Sequence, residues 1–138
     1  MLHNLAELGF THMTPVQAQS LPSILQNRDV IAQAKTGSGK TVAFGIGTLT
    51  KLDVKKHGVQ SMVLCPTREL AEQVATELRR LARFAKNIKV LTLCGGVAFR
   101  PQLASLRHDA HVVVGTPGRI LKHLNRGSLD LNLSLIHI

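Results

Sequence analysis

Apolar positions along the chain follow two patterns, short continuous runs and runs with helical spacing. Four short apolar runs predict β-strands, at residues 29–32, 61–65, 89–93 and 111–114. Helical spacing predicts helices over residues 2–8, 14–26, 41–52 and 68–84, and a last helix from Thr116 to Gly127. Since strands that alternate with helices form parallel sheets, we expect an α/β domain whose parallel sheet is flanked by helices.

The helix over residues 68–84 is the clearest of these predicted elements. Its core-facing positions are expected to be Leu70, Ala71, Val74, Leu78, Leu81 and Ala82. Acidic residues come early in this segment and Arg79, Arg80 and Arg83 come late, which is the order that complements a helix dipole. We therefore interpret the three arginines as stabilising the helix terminus and not as contacts to nucleic acid.

A glycine-rich segment after the first predicted strand carries the strongest chemical signal. Residues 34–41 read Ala-Lys-Thr-Gly-Ser-Gly-Lys-Thr and lead into a predicted helix. Backbone N–H groups of such a loop surround phosphates at the positive end of the helix dipole. Lys40 would reach the β- and γ-phosphates, and the Thr41 hydroxyl would hold Mg²⁺. The alternative, a glycine-rich turn that precedes Lys-Thr by chance, is disfavoured by the flanking strand and helix.

Each of the other predicted strands ends in a short distinctive segment. These segments are Pro66-Thr67-Arg68, Gly95-Gly96 and Thr116-Pro117-Gly118-Arg119. Because the carboxyl ends of parallel strands meet at one sheet edge, we expect them to lie together with the phosphate loop. Helix starts and arginine side chains at such an edge bind anionic oxygens, and glycines allow a polymer backbone to approach. The pattern indicates contacts to a phosphodiester backbone without sequence readout, although each segment alone is more often an ordinary cap or turn.

The composition favours nucleic acid as a partner and argues against a metal site, a redox site or a membrane span. The 138 residues are the size of one domain, and 17 basic against 8 acidic residues give a net charge of +9. Such an excess suits nucleic acid, with a solvated basic surface as an equal alternative. Cys65 and Cys94 form no metal or redox motif, and the seven histidines lack ligand spacing. No apolar run approaches the roughly 20 residues of a membrane span, so we expect no membrane contact.

Taken in this order, the motifs resemble those of the DEAD-box RNA helicases. Four segments resemble motifs I, Ia, GG and Ib of that family: residues 34–41, 66–70, 95–96 and 116–119. Residues 14–17, after Gly9-Phe10, resemble its Q motif, and the family also begins its phosphate loop with alanine. The resemblance covers nearly the whole chain and is greatest to the bacterial DbpA branch, which acts on large-subunit ribosomal RNA.

The resemblance implies a RecA-like P-loop domain that binds ATP, Mg²⁺ and single-stranded RNA. The implied nucleotide-binding residues are Phe10, Pro15, Gln17, Thr36, Gly37, Ser38, Gly39, Lys40 and Thr41, of which Lys40 and Thr41 would serve catalysis and Thr41 would hold Mg²⁺. The implied RNA-binding residues are Pro66, Thr67, Arg68, Gly95, Gly96, Thr116, Gly118 and Arg119. Gln17 would read adenine, but Thr14-x-x-Gln17 is also a capping box, and both interpretations stay open.

The sequence departs from that family because it contains no Asp-Glu-Ala-Asp and no Ser-Ala-Thr. We therefore expect residues 1–132 to be the N-terminal part of a first RecA-like domain that ends before its carboxylate-bearing strand. The whole protein would be a cytoplasmic, monomeric RNA helicase with ribosomal RNA as its target, and this chain alone would be inactive. Two alternatives are a nucleotide- and RNA-binding fragment without turnover and another P-loop NTPase such as a DNA helicase.

Residues 133–138 lack the acidic apolar pattern that the family has at this point. They are also what a common transposon sequencing adapter encodes. We interpret them as a non-native read-through tail, with a genuine terminal strand as the alternative.

Overall fold

A parallel β-sheet forms the centre of the fold in the computed structural model, which describes residues 6–7, 9–84, 87–132 and 136–137. Its strands are β1 (Ser61–Leu64), β2 (Val90–Leu93), β3 (Val112–Gly115) and β4 (Ile136–His137). They pair in the order β2-β3-β1-β4, and every described pairing is parallel. The predicted strands at residues 61–65, 89–93 and 111–114 are therefore confirmed, with ends that differ by one residue.

Five α-helices connect and cover these strands in the described residues. They are α1 (Pro15–Leu25), α2 (Lys40–Lys51), α3 (Arg68–Leu81), α4 (Phe99–Leu106) and α5 (Pro117–Asn125), and a 3₁₀ turn, Ala82–Phe84, extends α3. Local signals set several of the ends, since proline occupies the first position of α1 and α5 and Gly127 follows α5 with a φ of 64°. Within the described ranges, no helix is long and apolar enough to cross a membrane.

The core lies on both faces of β3, whose Val112, Val113 and Val114 are fully buried. Val112 and Val114 pack in one cluster with Val74 and Leu78 of α3. Val113 points to the opposite face and packs with a second cluster that includes Ile120 of α5. Helices therefore cover both faces of the sheet, which explains why its central strands read as continuous apolar runs.

The predicted strand at residues 29–32 is wrong. These residues belong to no strand or helix, and Val30 and Ile31 are exposed to solvent. A strand exists only where its backbone hydrogen-bonds to a neighbour, and no described strand pairs with this segment. The apolar run has the composition of a buried strand but lacks a partner in the described part of the chain.

Two further differences concern helices. Helix α4 was not predicted, because Gln102 is its only buried residue and the helix has no capping side chain. Leu70 was expected in the core but is exposed, since it lies in the first turn of α3 at the rim of the sheet. The other five predicted core positions of this helical segment are buried.

Both chain ends are described only in part. Of the predicted helix at residues 2–8, only Ala6 and Glu7 are described, and both are helical. At the other end, Ile136 and His137 pair with Ser61 and Met62, while residues 133–135 and 138 lie outside the described residues. Backbone pairing of two residues makes no demand on their side chains, so the read-through interpretation stays a prediction.

Candidate functional site

The phosphate loop forms a tight turn immediately before α2. Gly37 and Gly39 have φ values of 79° and 89°, a left-handed conformation that glycine adopts without a steric penalty. Helix α2 begins at Lys40, directly after the second of these glycines. The first N–H groups of a helix have no partner within it, so they are available to anionic oxygens at this point.

Lys40 lies folded over the loop that precedes it. Its Nζ donates to the carbonyls of Ala34 and Lys35, the latter at 2.7 Å, and lies 3.4 Å from Ser38 Oγ. The ammonium group therefore sits among the polar atoms of the loop, where a phosphate would be neutralised. Thr41 is half-buried in the first turn of α2, and Thr36 is exposed in the loop. The predicted helix after the loop is confirmed, while the binding roles of Thr36, Ser38, Lys40 and Thr41 stay predictions.

Gln17 is a buried link between α1 and the phosphate loop. Its Oε1 accepts from the Thr14 N–H at 3.0 Å, which is the glutamine half of the predicted capping box. Its Nε2 donates to the Gly39 carbonyl at 3.2 Å, a contact that was not predicted. A Cβ on residue 39 would overlap the Gln17 amide, so the glycine is also required by packing. The capping interpretation is supported by this geometry, while the adenine role of Gln17 stays a prediction.

The two residues expected beside Gln17 at the adenine lie just before α1 and at its first position. Phe10 is half-buried, and the Arg80 guanidinium lies 5.5 Å from its ring centroid. Pro15 is the exposed first residue of α1. Their contact with a base stays a prediction.

In-register pairing brings three of the four predicted edge segments together. Leu64 of β1 and Leu93 of β2 both lie opposite Gly115 of β3. The next residues continue the pairing, since Cys65 N–H donates to Gly115 O at 2.9 Å and Thr116 N–H to Leu93 O at 3.1 Å. The predicted convergence is confirmed for these three segments. The phosphate loop is not joined to them by strand pairing, because residues 29–32 form no strand.

Arg68 and Gly96 make a direct contact at this edge. Gly96 has a φ of 75°, and a Cβ on it would overlap the Arg68 guanidinium. Glycine is therefore required here both by the backbone conformation and by the arginine that packs against it. Gly95 and Gly118 face open space, as positions that a polymer backbone could approach.

Arg119 is anchored by a buried glutamine that the sequence did not single out. Arg119 Nη1 donates to Gln102 Oε1 at 2.8 Å, and Gln102 Nε2 donates to the Cys94 carbonyl at 3.0 Å. Gln102 thus connects α5 to the residue before Gly95. A polar residue among the apolar positions of α4 would have been the signal, but it is visible only once α4 is recognised.

The pKa of the Cys94 thiol depends on its burial and on the charges around it. Burial raises the pKa of Cys94, a hydrogen bond from the Thr116 backbone lowers it, and Glu72 raises it again. The nearby guanidinium groups of Arg68 and Arg119 lower it. Both arginines are therefore close enough to this buried residue at the sheet edge to act on its charge. Burial also raises the pKa of Cys65, so neither buried thiol favours the reactive thiolate form.

His123 completes a buried network beneath Arg119. Its Nε2 donates to Gln102 Oε1 at 3.2 Å, and its Nδ1 lies 2.9 Å from Ser128 Oγ. Its ring stacks on Phe99 with centroids 4.2 Å apart. Burial lowers the pKa of His123, and the nearby Arg119, Arg126 and Lys122 lower it further. The imidazole is therefore a neutral structural group, and no described set of histidines, cysteines and carboxylates could hold a metal ion.

The sequence of this chain is similar to those of known helicases. The family model of the DEAD/DEAH box helicases matches residues 14–136. The ATP-dependent RNA helicase DbpA of Escherichia coli K12 is 60% identical over 131 residues, which cover 95% of this chain and 29% of that protein. The helicase CshA of Geobacillus kaustophilus is 50% identical over 124 residues, 90% of this chain and 26% of that protein. The chain thus spans less than a third of these relatives.

Solved structures show the same architecture. A DEAD box protein from Methanococcus jannaschii matches with a TM-score of 0.90 and 42% identity, over 96% of this chain and 36% of that one. A hypothetical ATP-dependent RNA helicase from Sulfolobus tokodaii matches with a TM-score of 0.87 and 38% identity, over 99% of this chain and 39% of that one. The expected parallel α/β fold of the RecA-like type is confirmed.

Replacing Gln17 with alanine separates its two roles. The variant loses the bonds to Thr14 and Gly39, so the free energy of unfolding should fall by about 1–3 kcal/mol. If Gln17 also reads adenine, the preference of the chain for ATP over GTP should fall by about fivefold, as for one lost hydrogen bond of about 1 kcal/mol. Thermal melts and competition binding measure the two effects, with exposed Gln19→Ala on the same helix as control. An unchanged ATP preference in a destabilised variant would leave Gln17 with the capping role alone.

The buried imidazole predicts a pH dependence of stability. Because the pKa of folded His123 lies below its ordinary value of 6.5, the unfolded chain takes up a proton first as the pH falls. The free energy of unfolding should not depend on His123 above about pH 6.5. Below that pH it should decline by at most about 1.4 kcal/mol per pH unit. Denaturant unfolding at about pH 7.5 and about pH 5.5 measures this slope. His123→Gln should flatten it, and exposed His108→Gln should not; equal slopes in all three proteins would contradict the assignment.

Proposed function

The chain belongs to the DEAD/DEAH box helicase family, and we propose that it forms the ATP- and RNA-binding N-terminal part of an ATP-dependent RNA helicase. In the whole protein this part would bind ATP and one RNA strand, and hydrolysis of ATP would be coupled to unwinding. One observation carries the proposal: Arg68 packs against Gly96, and Arg119 is joined to Cys94 through Gln102, at an edge that also presents two helix starts and two consecutive glycines. Such an edge suits a sugar-phosphate backbone.

We propose that the loop before α2 binds the phosphates of the nucleotide, because its shape and charge suit them. Left-handed Gly37 and Gly39 shape the turn, Lys40 brings its charge over it, and α2 starts behind it. Thr41 offers a hydroxyl oxygen, the kind of ligand that Mg²⁺ prefers. The magnesium ion, when bound, would supply charge neutralisation at the phosphates. Lys40 and Thr41 would position and stabilise the phosphates that react.

Adenine recognition by Gln17 is compatible with its structural bonds. A glutamine amide has two N–H donors and an oxygen with two lone pairs, and Thr14 and Gly39 use one of each. One donor and one acceptor therefore remain, which is the pair that the N6 and N7 edge of adenine requires. We propose that Phe10 and Pro15 shape the pocket around that edge.

For RNA we propose contacts to the backbone and not to bases. The N–H groups at the starts of α3 and α5, after Thr67 and Thr116, would bind phosphate oxygens together with Arg68 and Arg119. Pro66, Gly95, Gly96 and Gly118 would border the strand; of these, Gly95 and Gly118 have open space at the Cβ position. Only 3% of the residues are aromatic, so stacking of bases on side chains contributes little.

Further properties of the whole protein are proposed from the relationship to DbpA, with which the chain shares 60% identity. They are ribosomal RNA as the target, a role in ribosome assembly, a monomeric state and a cytoplasmic location. For these 138 residues alone we propose binding without turnover, because the sequence contains no Asp-Glu-Ala-Asp to activate water.

Lys40→Ala tests the nucleotide site. Loss of a charged partner to phosphate should weaken ATP binding by about 1.5–3 kcal/mol, roughly 10- to 100-fold. Calorimetric titration of the chain with ATP and Mg²⁺ measures the effect. The neighbouring Lys35→Ala, whose side chain is exposed in the same loop, serves as a control and should retain most of the affinity. If both variants bind ATP like the original chain, the loop is not a phosphate site.

Arg68→Ala and Arg119→Ala test the RNA edge. Each should weaken binding to all single-stranded RNA sequences alike and reduce the salt slope of log affinity by roughly 0.7, the single-strand value per phosphate. Fluorescence anisotropy against salt concentration measures this slope.

Arg79→Ala is the matched control for these two variants. Its guanidinium donates to the Val90 carbonyl at 3.2 Å and to Thr92 Oγ1 at 2.9 Å, so it is already used within the fold. This variant should lower stability and leave the salt slope unchanged. An equal change of slope in all three variants would show that net charge alone, and not the edge, binds RNA.

A further inference from the structure

We propose that three cations around Phe99, here called the Phe99 cluster and made of Arg119, Lys122 and Arg126, form a second phosphate-binding surface that continues the RNA path along α5. The inference rests on the proposed function for the identity of the ligand as RNA. It adds a site beyond the sheet edge, where only Arg119 of the three was expected to act.

The cations lie close together because one aromatic ring attracts all of them. The distances to the Phe99 ring centroid are 4.7 Å for Arg126 Cζ, 5.3 Å for Lys122 Nζ and 5.7 Å for Arg119 Cζ. The ring itself is held by stacking on buried His123. Cation–π attraction thus places three flexible side chains around one rigid point.

No ion pair with a carboxylate holds this cluster in the described part of the chain. The ion pairs described there, His57 with Asp109 and Arg80 with Glu77, lie elsewhere. All the charged groups that shift the pKa of His123 are these three cations, and all of them lower it. Like charges so close together repel one another, and a polyanion is the partner that would relieve this repulsion.

The shape next to the cluster can accept an anionic group. An open cavity of about 390 Å³ is lined by Phe99, Leu103, Arg107, Arg126, Gly127 and Ser128. Arg107, the residue that follows α4, contributes a fourth cation. A phosphate in this cavity could receive charged hydrogen bonds from both arginines.

The spacing along α5 makes the cluster continuous with the sheet edge. Arg119, Lys122 and Arg126 stand at positions i, i+3 and i+7, which share one face of a helix. Arg119 lies at the edge, and seven residues at about 1.5 Å each carry Arg126 about 10 Å farther along the axis. A single strand that contacts Arg119 can therefore continue onto the same helix face.

A competing explanation assigns Lys122 and Arg126 to the helix dipole. Both lie at the carboxyl end of α5, where cations are favourable. This explanation predicts that their loss lowers helix stability and leaves RNA binding unchanged. It does not account for Arg119, which lies near the amino end of the same helix.

The test measures RNA affinity against salt for the double variant Lys122→Gln/Arg126→Gln of the full 138-residue chain. Both side chains are exposed, and glutamine preserves helix propensity. The matched control, Lys55→Gln/Lys56→Gln, removes the same charge from an exposed loop. The probes are a uridine dodecamer, which can extend along α5, and a uridine trinucleotide, which is too short to cover both regions.

With the dodecamer, the double variant should reduce the salt slope by about 1.4, twice the single-strand value of about 0.7 per phosphate, and the control should change it little. With the trinucleotide, the double variant should bind like the original chain. Equal slopes for the double variant and the control would overturn the proposal, and so would a loss of thermal stability with unchanged RNA binding.

Arg68→Ala in the same assay keeps the two proposals distinguishable. If it leaves trinucleotide binding unchanged, the proposed RNA edge fails, whatever the Phe99 cluster does. If it weakens trinucleotide binding while the double variant leaves the dodecamer slope unchanged, the edge stands and the Phe99 cluster is not a phosphate site.

Discussion

The in-register pairing of β3 between β1 and β2 is the constraint on which the rest of the structure depends. Gly115 is the point where the three strands end together, opposite both Leu64 and Leu93. A side chain at this position would overlap the Leu93 carbonyl and crowd Ile120, so only glycine lets α5 turn back onto the sheet there. A slip of one residue would move Arg68, Gly96 and the start of α5 out of reach of one another.

Two buried glutamines turn this scaffold into a connected site. Gln17 joins α1 to the phosphate loop through Gly39, and Gln102 joins α5 to the end of β2 through Arg119 and Cys94. A buried amide is costly unless its polar atoms are bonded, so each glutamine favours one arrangement of the segments it touches. The geometry of the loop and of the edge therefore depends on two buried side chains and their hydrogen bonds within the fold.

The basic residues of the chain divide into groups with different surroundings. Arg79 is bonded to the backbone of β2, and Arg80 lies beside Glu77 and over Phe10. Arg119, Lys122 and Arg126 instead surround an aromatic ring without a carboxylate partner among the described residues. The net charge of +9 is thus distributed between contacts within the fold and surfaces that remain positive. The second group, together with Arg68 at the sheet edge, is placed to add to the affinity for a polyanion.

The sequence by itself determined the parts of the protein that depend on neighbouring residues. Continuous apolar runs identified β1, β2 and β3. Thr14 and Thr67 marked helix starts, and Gly37 and Gly39 marked the phosphate loop. These signals are local because capping, turn conformation and the period of burial act within a few residues.

Contacts between distant segments decided the rest. Residues 29–32 have strand composition but no pairing neighbour, and Leu70 has the right spacing but lies beyond the rim of the core. The bond from Gln17 to Gly39 spans 22 residues, and Phe99, Gln102 and His123 meet only because α4 packs beside α5. Such contacts leave no period or spacing in the chain, since each depends on where the completed sheet places its helices.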